Sequence, residues 1–152
     1  MGKVSWSAAV LAAVSLVVAV PASADELDQA EKLRKLDIML MVTGLRCRTT
    51  ADNFQADYAR FTTAHLAELN AAGAALQADY TRRNGPGSSG RALDRMSTVM
   101  ANSYGGGHPW LNCAQLGAVA RNLAAARGAA PLVEAADQLL AASGSPQIAL
   151  AQ

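Results

Sequence analysis

Two cysteines, Cys47 and Cys113, stand about 65 residues apart, and what precedes them decides their chemistry. Lys3 is followed by an apolar run from Ala8 to Val20, interrupted only by Ser15 and ended by Pro21. Ala22-Ser23-Ala24 then supplies small residues at a cleavage site, and Asp25 opens a polar stretch. A basic start, a short apolar core and a small-x-small end read as a cleavable signal peptide over residues 1–24. The apolar run is shorter than the roughly 20 residues a spanning helix needs. With no cysteine just past the cleavage bond, a lipid anchor is disfavoured. Export to the periplasm places both cysteines in an oxidising compartment, where an even count reads as a disulfide. The alternative is a pair of buried free thiols. The bridge closes a long loop, worth about 4 kcal/mol in the chain-entropy account. The spacing is far too wide for a CxxC redox motif.

The remaining chain favours helix. Much of its 51% hydrophobic content is alanine, aromatics contribute 5%, and charged residues 16%. Alanine loses no side-chain entropy in a helix, and a core of small side chains gains from a covalent staple. Without the leader's Lys3 the chain has 12 basic and 12 acidic residues. Such a balance steers it toward neither nucleic acid nor an anionic membrane.

Apolar spacing predicts the elements. A first helix runs from about Leu27 to Arg46, its stripe Leu33, Leu36, Leu40, Gly44 and Cys47, buried most deeply near its end. A second, long helix carries Phe54, Tyr58, Phe61, His65, Leu69, Ala72, Leu76 and Tyr80 on one face. Thr49 or Thr50 is its expected cap, and Arg82-Arg83-Asn84-Gly85-Pro86 stops it. Helix three spans about Arg91 to Ser103. Helix four begins at an Asn112 cap and runs to about Arg127. Helix five starts near Pro131 and ends near Ala142. The expected fold is all-α: a four- to five-helix bundle-like domain over residues 25–143 with one disulfide, and a flexible tail over 144–152.

Candidate chemistry is sparse. His65 sits on the apolar stripe, with Glu68 one turn on; the pair suggests a buried base or ligand, against a plain core histidine. The stretch from Ser103 through Tyr104, Gly105-Gly106-Gly107, His108, Pro109 and Trp110 is the best candidate for a ligand site, since glycines allow close backbone approach or an anion nest. The bland alternative is a helix connection in which Trp110 anchors the core. His65, Tyr104, His108 and Trp110 are the candidate ligand-binding residues. No catalytic residue, metal site or cofactor is expected. Met39, Met41, Met96 and Met100 read as adaptable core filler rather than soft-metal ligands. Asp52 and Asp57 read as solvated helix charges. No GxSxG, HExxH, SxxK or CxxCH occurs.

Lys35 to Arg48, Phe54-Gln55-x-Asp57-Tyr58 and Gly107-His108-Pro109-Trp110-Leu111-Asn112-Cys113 together resemble a family of small exported bacterial proteins of unassigned function. The resemblance covers most of the chain beyond the leader. It implies that both cysteines, the His-Pro-Trp segment and the helices form one module. Some members carry an S-adenosylhomocysteine hydrolase label; in this chain the Gly-x-Gly-x-x-Gly spacing of Gly85 to Gly90 follows a predicted helix, not the strand of a dinucleotide-binding unit. The expected role is therefore non-enzymatic, through contact with another envelope protein as accessory, inhibitor or chaperone-like binder. A small-ligand or hydrolytic site at Gly105–Trp110 is the alternative. Oligomeric state is not set by these residues.

Overall fold

The computed structural model describes residues 22–140. Residues 1–21 of the expected leader (1–24), the end of the last helix near Ala142 and the tail over 144–152 lie outside the described residues. Within them the protein is all-helical: α1 (Ala24–Cys47), α2 (Gln55–Ala64), α3 (Leu66–Asn84), α4 (Ser89–Tyr104), α5 (Cys113–Ala125) and α6 (Ala130–Leu140), with no strand. None of these helices is long and apolar enough to cross a membrane.

The first helix is the axis of the domain. It begins three residues earlier than its apolar pattern indicates. In the uncleaved chain Ser23 accepts from the Glu26 amide while the Glu26 carboxylate accepts from the Ser23 amide, a reciprocal capping box that the expected cleavage after Ala24 would remove. It packs against all five other helices. That explains why its C-terminal half buries Leu36, Ile38, Met39, Leu40, Thr43, Gly44 and Cys47 on more than one side. Thr43 resolves its own polarity by donating to the Met39 carbonyl at 2.7 Å. Cys47, its last residue, bonds to Cys113, the first residue of α5, with Cα atoms 5.8 Å apart. The sequence expectation of one disulfide tying two helix ends is met.

The long second helix is instead two. All its stripe residues face inward or lie half-buried as expected, but His65, at φ −115° and ψ 24°, separates α2 from α3. Neither Gly nor Pro causes the break. Thr62 and Thr63 both donate their hydroxyls to the Ala59 carbonyl, at 3.0 and 2.8 Å, and such back-bonding bends helices. The His65 ring is also drawn across to the Leu123 carbonyl of α5. The bend lets α2 lie along α5 while α3 lies along α1 and α4. The expected threonine cap is also displaced. Thr50 donates to the Cys47 carbonyl at 2.8 Å and closes α1, and Asn53 accepts from the Gln55 amide at the start of α2. The Asn112 cap of α5 is present as expected, and Gln115 completes a second capping box.

The seam between α2 and α5 is close. A Cβ on Gly117 would lie 3.0 Å from the Phe54 Cβ. Asp57, expected to be a solvated charge, is buried there and bonds Arg121 at 2.7 Å from across the seam, and Arg60 from its own helix. Asp79, which lies off the apolar stripe, is likewise buried and held by Arg82 at 2.8 Å and by Arg83. Both acids bury because two guanidiniums share each carboxylate; an unshared charge would not.

Two glycine substitutions separate packing from helix propensity. Gly73 lies inside α3 with nothing within 4 Å of where a methyl would stand, so Gly73→Ala is expected to raise stability by about 0.5–1 kcal/mol. Gly117→Ala gains the same propensity but pushes Phe54 away, and is expected to lower stability by about 1–2 kcal/mol net. Chemical denaturation of the two variants beside the parent checks both signs.

Candidate functional site

The four candidate residues fall in two places. His65 closes α2 and reaches the last turn of α5. Tyr104, His108 and Trp110 belong to the connection from α4 to α5, beside the disulfide. Leu123, the partner of His65, lies about 15 Å of helix rise along α5 from Cys113. The two histidines therefore do not form one site.

Their geometry is alike all the same. The Nε2 of His65 lies 2.7 Å from the Leu123 carbonyl, and the Nε2 of His108 lies 3.1 Å from the Leu139 carbonyl. A carbonyl only accepts, so each ring donates through Nε2–H. Leu123 and Leu139 sit in the last turn of α5 and in the last described turn of α6, and neither turn holds a basic residue. His65 thus adds a donor to a carbonyl that also accepts from the Ala126 amide, and His108 donates to a carbonyl of α6. His65 is 1% exposed, and its ring packs on Phe61 with centroids 5.6 Å apart. Its Nδ1 makes no hydrogen bond, since Glu68 Oε1 is 3.8 Å away. The pair expected from the i, i+3 spacing does face together, but with the histidine sealed in the core.

His108 uses both nitrogens. Its Nδ1 accepts from the Leu111 amide at 3.3 Å, so the ring pins the loop to itself and to α6. Burial pushes its pKa down, partly offset by the Leu139 carbonyl. Tyr104 stacks on one side of the ring, with centroids 5.6 Å apart, and is buried; its hydroxyl finds no protein partner. Trp110 meets the ring edge-on at 4.4 Å. The sequence expectation that Trp110 anchors the core is corrected here. The indole is 44% exposed, and Tyr104 and His108 occupy the core position instead. Pro109 follows His108 directly, and the buried histidine turns the next two residues outward.

The glycines serve the turn rather than an anion nest. Gly105 continues α4 with helical dihedrals, and Gly107, at φ +111°, donates its amide to the Tyr104 carbonyl at 2.9 Å. A Cβ there would also lie 3.3 Å from the Arg46 Nε. The cavity between this loop, Arg46 and the disulfide is about 220 Å³, below the span of ordinary small-molecule pockets.

Besides the Asp57–Arg121 pair, sequence reasoning missed a polar pair between α2 and α1. Tyr58 donates to Asp37 Oδ1 at 2.8 Å between α2 and α1. Desolvation raises the Asp37 pKa, opposed by that hydrogen bond and by Arg34. The signal was present in Tyr58, whose stripe position buries a ring with a hydroxyl that needs a partner. No group of three or more metal-ligating residues occurs among the described residues. Of the methionines, Met39 is buried and Met41 exposed.

The depressed His108 pKa has a signed consequence. The unfolded chain takes up this proton more readily than the folded one. Stability from His108 is therefore full above the ordinary histidine range, about 6.5, and is lost as pH falls from there toward the folded pKa. Thermal unfolding between pH 7.5 and 5 is expected to show a falling melting temperature, with a shallower fall in His108→Gln. An equal slope in both proteins would assign the pH response elsewhere.

Compared with protein-family models, with curated proteins and with solved structures, the chain matches none.

Proposed function

We propose that this is an exported, non-enzymatic periplasmic protein that acts by contacting another envelope protein, with the loop carrying Trp110 as the contact. The observation that carries this reading is an exposed tryptophan held in place from below. His108 braces the indole and is itself bonded on both ring nitrogens. The loop then runs into the Asn112 capping box and the Cys113 disulfide. Exposed tryptophans on pre-ordered frames dominate binding energies at protein interfaces, because little side-chain entropy remains to be lost.

Two further features support the reading. The candidate bases are engaged in structure: His65 is sealed in the core and His108 has neither nitrogen free. The absence of any strand among the described residues leaves no βαβ unit for a nicotinamide-dependent hydrolase. Export is supported by the residue pattern from Lys3 to Ala24 and agrees with the disulfide.

Intact-mass measurement of the protein recovered from the periplasm is expected to match the chain from Asp25 less two hydrogens; an uncleaved mass would sink the export reading. A photo-crosslinker at position 110 is expected to give one reproducible adduct with an identifiable envelope protein. Trp110→Ala is expected to weaken that complex about 30-fold, as for a central interface residue. Unchanged affinity in the alanine variant, or no adduct at all, would remove Trp110 as the contact.

A further inference from the structure

A groove of about 750 Å³ runs between α1, α3 and α4, shares no lining residue with the cavity beside the disulfide, and is within the usual volume of a ligand site. Its lining is ordered along α4. Arg91, Arg95 and Val99 follow one another at single-turn spacing, with Ala92, Met96 and Met100 as a parallel inner row. The groove is thus cationic over the first two turns of α4 and apolar over the third. Arg91 to Val99 spans about 12 Å, within reach of a medium-length alkyl chain.

The groove lining includes one carboxylate, Glu31, which is taken up by Lys35 on the same α1 wall. Arg91 and Arg95 make no ion pair or side-chain hydrogen bond among the described residues, although both line the groove. The first turn of α4 contains no acid, and Ser88 supplies no side-chain cap, so the positive helix end adds to the same field. At the other end Val99 is 58% exposed beside Met96 and Met100. Unbranched thioether side chains adapt to a flexible apolar guest. A planar carboxylate suits two guanidinium forks one turn apart.

We propose that this groove binds a free unbranched monocarboxylate of medium chain length. The carboxylate lies between Arg91 and Arg95, and the alkyl chain runs along Met96 toward Val99 and Met100.

Titration calorimetry of the disulfide-bonded protein recovered from the periplasm with octanoate, decanoate and dodecanoate, each below its micellar range, tests the assignment. One saturable site is expected, with affinity rising about two- to fourfold per added methylene. Decanol and decyltrimethylammonium are expected to bind at least tenfold more weakly than decanoate. Arg91→Gln and Arg95→Gln are each expected to weaken decanoate about tenfold; both side chains are exposed and unpaired, so folding is retained. Val99→Asp weakens the longer acids most, while Arg127→Gln and Trp110→Ala leave binding unchanged. The assignment is overturned by absence of saturable binding, by affinity independent of chain length, or by equal binding of the cationic analogue. Affinity unchanged in both arginine variants also overturns it. So does binding to anionic phospholipid vesicles without binding to the free acids, which makes the groove a membrane contact. A dimer that dissociates only in Val99→Asp would likewise identify a second copy of the chain as the occupant.

Discussion

The C-terminal half of α1 is enclosed by other helices, and the rest of the domain is arranged by what that enclosure requires. A helix buried on several sides must present apolar residues beyond a single stripe, which is why Ile38 and Met39 join Leu36 and Leu40 in the core. Its one hydroxyl there, on Thr43, turns back to its own backbone. The disulfide then fastens the end of this axis to the start of α5. A cross-link worth about 4 kcal/mol is a large share of the 5–15 kcal/mol typical of a domain.

Buried polar side chains do the remaining joining, and they work by one rule: each reaches a backbone carbonyl or a polar partner on another element. His65 and His108 each reach a last-turn carbonyl of a helix with no basic residue there. Asp57 draws Arg121 across the α2–α5 seam, where Gly117 allows Phe54 to approach. Tyr58 and Asp37 join α2 to α1. These contacts add directional restraint to a core otherwise held by non-directional apolar packing. The outward position of Trp110 follows from the same rule, because the histidine two residues earlier is committed inward.

Much of this was legible in the residues. The helix-rich class follows from alanine content and apolar spacing, the Asn112 cap from its chemistry, and the cysteine pairing from the even count. The inward face of Phe54 to Tyr80 is legible too, although the helix is interrupted. A bend at one residue preserves the three-four spacing on either side, so periodicity alone does not register it. The roles of the histidines were not legible. The carbonyls they reach belong to residues 58 and 31 positions later in the chain, and a backbone acceptor leaves no mark in the side-chain sequence. Asp57 and Asp79 looked like surface charges because their partners include arginines that themselves remain largely in solvent.

By itself the sequence determined helix as the local structure, the faces that turn inward, several of the caps and stops, and which two sulfurs were available to each other. Those properties depend on residues within a few turns or on simple counts. Tertiary structure alone decided which helix became the axis, where the long helix bends, which acids are buried, and that Trp110 faces outward while His108 faces in. It also brought together the side chains of the α1–α3–α4 groove. The physical reason is common to all of these: they are set by hydrogen bonds, ion pairs and steric approach between residues distant in the chain, and no local pattern encodes the distance between them.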